Sequence, residues 1–174
     1  VIEARTDRGD ARIRVHASQR RFLYEHLVEP DSSDDSVWQV PLTALSENGG
    51  EPVSALMTEP ESSIEIRGVG PESGGWTKIN PGQTGFFRVN YAEEDWDRLG
   101  PAIRDLALDP VDRLGIQNDA DALSLAGLLP VTQFRALVER YAGETNASVW
   151  SDISANLGGL DALLAHEPFY ERYE

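Results

Sequence analysis

Residues 80–91, NPGQTGFFRVNY, decide how the rest of the chain is read. Pro81-Gly82 is a tight-turn pair in which Gly82 is free to take positive φ. After it, Phe87, Val89 and Tyr91 alternate with Phe86, Arg88 and Asn90, the period-two pattern of a strand. The spacing predicts a strand from Gln83 to Tyr91. Its first set of side chains is expected in a sheet core, and its second set turned toward the elements that follow. Burying two aromatic rings and a valine offers roughly 1.5–3 kcal/mol each. The stretch holds no nucleophile, general base or metal ligand, so its specification is architectural.

N-terminal to this stretch the pattern is short alternating runs: ARIRVHASQ, SVWQVPLTAL, PVSALM, SIEIRGV and WTKIN. Turn-forming segments separate them: DRGD, EPDSSDD, ENGGEP, TEPESS and PESGG. Short strands at this spacing indicate an antiparallel sandwich, with edges blunted by charges and by Pro41 and Pro52. Val1 to Arg5 already reads as a strand, without an initiator Met or apolar leader, so the polypeptide is expected to start upstream.

From Ala92 the period becomes helical. Glu93 and Glu94 favour a helix N-terminus. Trp96, Leu99, Ile103 and Leu106 share a face, with a kink or split expected at Gly100-Pro101. A second helix is expected to be capped by Asp109, with Pro110 in its first position and Asp112 three after the cap. Val111, Leu114, Asn118, Ala122 and Leu125 are its expected apolar face, and Gly127 its stop. A third runs from Val131 to Ala142 with Phe134, Leu137, Val138 and Tyr141 inward, ending at Gly143. A fourth starts at Thr145 or Asn146 and carries Trp150, Ile153, Leu157, Leu160 and Leu164. The fold class is β then α: a small antiparallel β-sandwich over residues 1–91, then solenoid-like helices over 92–174.

Composition removes several functions. Thirty acidic against 15 basic residues give a net charge of −15, which repels phosphate backbones and anionic membranes. Without cysteine there is neither a disulfide framework nor a thiolate metal site. No apolar run reaches the roughly 18 residues of a membrane span.

The candidate sites fail one by one. His166-Glu167 could open an H-E-x-x-H zinc helix, but the run is HEPFY, with Tyr at position 170. EPDSSDDS bunches oxygen ligands without the ordered spacing of a calcium loop, and Asp119 and Asp121 beside Asn118 point to different sides of a helix. Asn146-Ala147-Ser148 matches a glycosylation sequon but also makes a good helix start. GVGPESGG lacks the third glycine of a dinucleotide fingerprint, and no G-x-S-x-G elbow is present. Only His16 and His26 with acidic neighbours remain as a conceivable hydrolytic site. No residue is assigned a catalytic, cofactor-binding or metal-ligating role.

Three runs together carry a family resemblance: WTKINPGQTGFFRVNY, GPAIRDLALDPVDRLGIQNDADALSLAG and ETNASVWSDISANLGGLDALL. They resemble the large zinc-dependent aminopeptidases of the aminopeptidase N superfamily, nearest the puromycin-sensitive, cytosolic alanyl branch. The likeness is good from Trp76 to about Leu164 and looser before it, where QRRFL and VWQVPLTAL resemble two of the family's strands. It implies a parent with an N-terminal β domain, a thermolysin-like catalytic domain, a β-sandwich and a long helical C-terminal domain. In that parent, zinc-activated water would attack the first peptide bond of a peptide with a free α-amine.

The family's H-E-x-x-H and G-x-M-E-N motifs are absent from this sequence, so none of its catalytic residues can be carried over. The resemblance therefore implies a cytoplasmic, structural fragment without zinc of its own. Its expected partners are the catalytic domain and the remaining helices, with Leu157, Leu160, Leu163 and Leu164 partly exposed and available to a dimer. The alternative is a stand-alone β-sandwich and helical interaction module without catalysis.

Overall fold

The structure, a computed structural model, describes residues 1–9, 11–24, 35–48, 50–67, 75–167 and 170. His26, most of EPDSSDDS, the GVGPESG run and Pro168 lie outside the described residues. Among the described residues seven strands come first: β1 (Ile2–Gly9), β2 (Arg12–Gln19), β3 (Val40–Ser46), β4 (Val53–Met57), β5 (Glu61–Arg67), β6 (Thr77–Ile79) and β7 (Val89–Tyr91). Among the same residues four α-helices follow: α1 (Glu93–Arg104), α2 (Pro110–Leu125), α3 (Val131–Val138) and α4 (Ala147–Leu164). The β-then-α order is as the sequence predicts.

One sheet has the order β5-β2-β1-β7 and the other β4-β3-β6. Their facing residues alternate with polar ones along each strand. Ile2, Ala4, Ile13, Val15, Ala17, Ile64 and Ile66 of one sheet share a buried cluster with Leu42, Ala44, Met57 and Ile79 of the other. The expected antiparallel pairing holds except at β7, which lies parallel to β1 with Ile2 opposite Val89 and Ala4 opposite Tyr91. A parallel neighbour needs a long crossover, and strands β2 to β6 all lie between β1 and β7 in the chain.

The opening stretch is less of a strand than its alternation predicts. Regular pairing covers only Val89–Tyr91, preceded by a 3-10 turn at Pro81–Gln83. Gly82 takes the expected positive φ of 72°, and Asn80 and Gln83 are also left-handed, at 56° and 54°. The Asn80 side chain holds this bend, accepting from the Gly85 amide (2.8 Å) and donating to the Gly85 carbonyl (2.9 Å). Phe87, Val89 and Tyr91 meet the core as expected, but Phe86 points wholly into solvent.

Pro41 is not on an edge; it lies in β3, the central strand of its sheet. The Thr43 carbonyl accepts from the Asn80 amide at 2.9 Å on the β6 side. Two residues earlier, Pro41 turns its ring nitrogen to that same side. There β6 has already ended, its pairing beginning at Ala44, so the missing N–H costs no ladder bond. Pro52 does precede an edge strand, β4.

The helices close on the sheets with three corrections to the expected faces. Pro101 lies within α1 without splitting it, and Leu106 is exposed beyond the helix end. There it takes φ +54°, while Ala107 N–H bonds Ala102 O and Leu106 N–H bonds Ile103 O. That is the six-to-one and five-to-two closure that glycine usually serves. Gly127 (φ +71°) closes α2 with the same pair of bonds, from Leu128 to Leu123 and from Gly127 to Ser124.

In α2, Val111 and Leu125 are exposed, while Asp112, Arg113, Ile116, Gln117, Asp119, Ala120 and Leu123 are buried. This helix packs against β7, the 81–83 turn, α3 and α4, so it is enclosed on several sides and shows no single apolar stripe. In α4, Val149 and Ile153 are buried, whereas Trp150 is exposed, its indole N–H donating to the Glu144 carbonyl at 2.8 Å. Asn146 caps α4 as expected, its Oδ1 accepting from Ser148 (3.0 Å) and Val149 (3.3 Å). Leu157, Leu160 and Leu164 are half-exposed and Leu163 exposed.

Gly115 marks where α2 meets the bend. A Cβ placed there would lie 2.0 Å from Gln83 Nε2 and 2.2 Å from its Cδ. Gly115→Ala must displace the half-buried Gln83 side chain. The net change in stability should therefore stay within about 1 kcal/mol, short of the full gain of about 1 kcal/mol that alanine brings to an open helix site. Urea denaturation checks this, and adding Gln83→Ala should restore the gain.

Candidate functional site

The most elaborated part of the molecule is the seam between sheets and helices. Three buried helix carboxylates each accept a backbone N–H from the β side. Asp95 of α1 takes the Thr6 amide (2.9 Å) and the Thr6 hydroxyl (2.5 Å). Asp112 of α2 takes the Gly82 amide at 2.8 Å, and Asp119, two turns later, takes the Val89 amide at 3.0 Å. Residues seven apart on a helix share a face, so α2 presents its two acids in line to the bend and to β7.

Each acid answers a specific need of the strands. On β1 the amides of residues 2, 4 and 6 face β7. Ile2 donates to Arg88 O (2.8 Å), and Ala4 O accepts from Ala92 N–H (2.8 Å). There β7 gives way to α1, and the next amide, Thr6, would be orphaned at a buried edge without Asp95. An unmet buried donor costs about 1–3 kcal/mol. Asp112 was expected to support its own helix start, yet its carboxylate instead crosses to Gly82. The Asp109 side chain, expected to cap α2, makes no capping hydrogen bond.

Lys78 completes the seam from β6. It is 1% exposed, and its ammonium donates to the carbonyls of Ile79 (2.5 Å) and Asn80 (3.2 Å), 3.7 Å from Asp112 Oδ1. Burial lowers its pKa, and the charges of Asp112 and Asp119 oppose that shift. The Tyr91 hydroxyl accepts from the Ile79 amide at 2.9 Å, and burial raises its pKa well above the usual phenol value. The Trp96 ring stands edge-on to Tyr91, with centroids 5.0 Å apart. Arg88, expected to face the helices, donates to Asn118 O (3.0 Å) and Asp119 Oδ1 (3.3 Å).

Burial pushes the Asp119 carboxyl up to about 6 from 3.8, against the pull of the Val89 amide, Lys78 and Arg88. Between those values the folded state binds more protons than the unfolded one, so stability falls as pH rises from about 4 to about 6. The loss is on the order of 2–3 kcal/mol. Asp119→Asn should remove that slope, which urea titrations at half-unit pH steps will resolve; an unchanged slope counts against the assignment.

A second buried cluster ties α2 to the start of α4. The Arg113 fork grips Glu144 through Nε–Oε2 (2.6 Å) and Nη2–Oε1 (2.7 Å). Glu144 Oε1 also accepts from the amides of Thr145 (2.9 Å) and Asn146 (2.8 Å). These bonds, the one to Arg113 foremost, hold the Glu144 carboxyl down at about 2.

The sequence-level candidates come to little beside this. His16 hydrogen-bonds Asp7 at 2.8 Å on the outer face of the first sheet, and no other side-chain partner of His16 is found among the described residues. His166 follows α4 in a turn, exposed to solvent. Asp121 is half-buried, and burial with the nearby charge of Asp152 raises its pKa against the pull of Arg88. Among the described residues no group of three or more His, Asp or Glu side chains is placed to hold a metal ion. No described helix is long and apolar enough to cross a membrane. Sequence reading gave no role to Lys78 or Asp95, and it read Asp112 as a helix-start acid and Asp119 as part of a weak calcium signal. For the three aspartates the available signal was an acidic residue at an inward helical position, which reads as surface charge until the opposing amide is known. Lys78, on β6, carried no such signal.

The chain is similar in sequence to known proteins. The ERAP1-like C-terminal domain family matches residues 76–174, beginning at the β6 strand that carries Lys78. The puromycin-sensitive aminopeptidase of Caenorhabditis elegans is 35% identical over 159 residues, covering 90% of this chain and 16% of that protein. Aminopeptidase 2 of Candida albicans is 31% identical over 159 residues, covering 91% and 16%. Aminopeptidase M1-B of Oryza sativa subsp. japonica is 29% identical over 170 residues, covering 94% and 18%. The chain thus spans about one-sixth of the length of these relatives. With the family matched across the bend, β7 and all four helices, the chain belongs to the ERAP1-like C-terminal domain family of the aminopeptidases.

Proposed function

We propose that this chain is a non-catalytic scaffold within a zinc-dependent aminopeptidase that removes N-terminal residues from peptides. In this reading, residues 1–91 join the catalytic domain to a helical C-terminal domain that begins at residue 92, and the enzyme works in the cytoplasm. The carrying observation is the triple weld of Asp95, Asp112 and Asp119 onto backbone amides of Thr6, Gly82 and Val89. Side chain-to-backbone bonds of this kind fix the angle between two bodies without asking anything of substrate. The aminopeptidase names of the relatives and the cysteine-free sequence support the activity and the compartment. The described residues do not fit a zinc site, so no chemical step is assigned to them.

The test is direct. The purified chain is assayed with an aminoacyl p-nitroanilide while bound zinc is measured by elemental analysis. No turnover and no stoichiometric zinc are expected. Turnover accompanied by one zinc per chain would overturn the scaffold reading.

A further inference from the structure

The end of β3, the start of β6 and one flank of α1 enclose a cleft that the seam does not use. Glu94, Asp97, Arg98 and Asp105 share a face of α1 at helical spacing. With Glu47 and Trp76 they line a cavity of about 630 Å³, a volume within the range of ligand sites. Among the described residues its lining holds four acids and one base. Arg98 is divided between Asp95 (3.3 Å) and Glu94 (3.5 Å), and Asp105 is held by Arg104 at 2.9 Å. Glu47 and Asp97 have no ion pair among the described residues. Of the neighbouring bases, Arg8 donates to Thr77 Oγ1 at 3.1 Å, and Arg140 packs over Gly100 in the crevice between α1 and α3. Residues 68–74, which lead into Gly75, contribute Glu72 and neither Lys nor Arg, so the adjoining sequence adds acid alone.

Two further features point to an occupant. Glu47 is positioned by the backbone opposite it: its amide donates to Trp76 O at 3.2 Å, and a Cβ on Gly75 would stand 2.1 Å from Glu47 Oε2. Trp76 supplies the second. Alternation carried back from β6 turns it to the same side as Lys78, toward the helices, and its ring lines the cleft. Trp76 is 8% exposed, and its indole N–H has no acceptor among the described residues. The indole nitrogen is a donor only, and a buried one ordinarily finds a partner.

We propose that this cleft binds a basic peptide segment, with a Lys or Arg side chain among Glu47, Glu94 and Asp97 and a peptide carbonyl accepting from Trp76 Nε1. A cleft walled by one sign of charge concentrates the opposite ion. The net charge of −15 on the whole chain acts in the same direction. A simple cation would meet the carboxylates but leave the indole N–H unanswered, so the two features together select a peptide.

The experiment titrates the full 174-residue chain, labelled with ¹⁵N, with hexalysine at low salt. A parallel titration uses spermine, which carries amines but no carbonyl. Hexalysine should move the Trp76 indole N–H resonance downfield and shift the amides of Glu47, Trp76 and Asp97, and added salt should weaken binding. Glu47→Gln with Asp97→Asn should weaken it roughly tenfold. Glu59→Gln with Glu61→Gln, the same charge change elsewhere on the surface, should leave it within about twofold. These four acids are exposed, and melting curves confirm that the variants fold. Trp76→Phe keeps an aromatic ring without the N–H; it should weaken hexalysine several-fold and leave spermine unchanged. An unmoved indole resonance, equal weakening by the two double variants, or hexalysine affinity unchanged in Trp76→Phe would each overturn the proposal. An indole shift as large with spermine would also overturn it, showing a general cation site.

Discussion

Asp112→Ala is expected to destabilise the protein by about 3–5 kcal/mol in urea denaturation, because it strands the Lys78 ammonium in the interior. Lys78 would keep only two backbone carbonyls, and Gly82 would lose its acceptor. The two losses can be separated. Lys78→Met with Asp112→Asn removes both charges but leaves an amide oxygen for the Gly82 N–H, and it should fall within about 1 kcal/mol of the parent. A cost below 1 kcal/mol for Asp112→Ala alone would mean that Lys78 reaches water, and the seam would then be a packed surface and no more. The effect should also be local in structure. Amide exchange should quicken first at Asn80–Gly85, the bend that α2 holds through Asp112 and Gly115.

Arg113→Met should cost a similar amount, about 3–5 kcal/mol, since it leaves Glu144 buried with two amides as its only partners. Arg113→Lys should recover little. An ammonium cannot reproduce the two parallel bonds to Glu144, nor reach the Leu108 carbonyl that Arg113 Nη1 also bonds. The pair has a pH signature opposite to that of Asp119. The Glu144 carboxyl sits at about 2 against an ordinary 4.5. Its contribution is therefore fully present above about 4.5 and is lost as pH falls through 2. The summed contribution of these two groups should be largest near pH 4, where the two windows overlap. Arg113→Met should flatten the acid limb and Asp119→Asn the limb above it. If both variants kept the parent's profile, neither group would be the one titrating.

Much of the architecture is written in local chemistry. Most strand runs of the first half, the Pro-Gly turn, the Asn146 cap and the Gly127 stop depend on a few neighbouring residues each and are found near where the pattern places them. The Gln83–Tyr91 run, however, pairs only at Val89–Tyr91, and β1 and β5 take in residues of the expected turns. The parallel pairing of β7 is not local. It depends on a partner 87 positions away in the chain, which alternation along one strand cannot name. The apolar face of α2 was misread for a related reason. Periodicity detects a helix with one wet side, and α2 has the bend on one flank and α4 on another, with acids buried among its inward positions.

The composition and local patterning were enough to establish an acidic, cysteine-free β-then-α chain without the motifs of an active site, because each of those properties is carried by residues near one another in sequence. What the folded molecule alone decided is where the charge goes. Of many similar aspartates, Asp95, Asp112 and Asp119 are buried against backbone amides, and Lys78 is enclosed among them. The free energy of a charge is set by its distance to its partner and to water, and both distances exist only once sheets and helices have met.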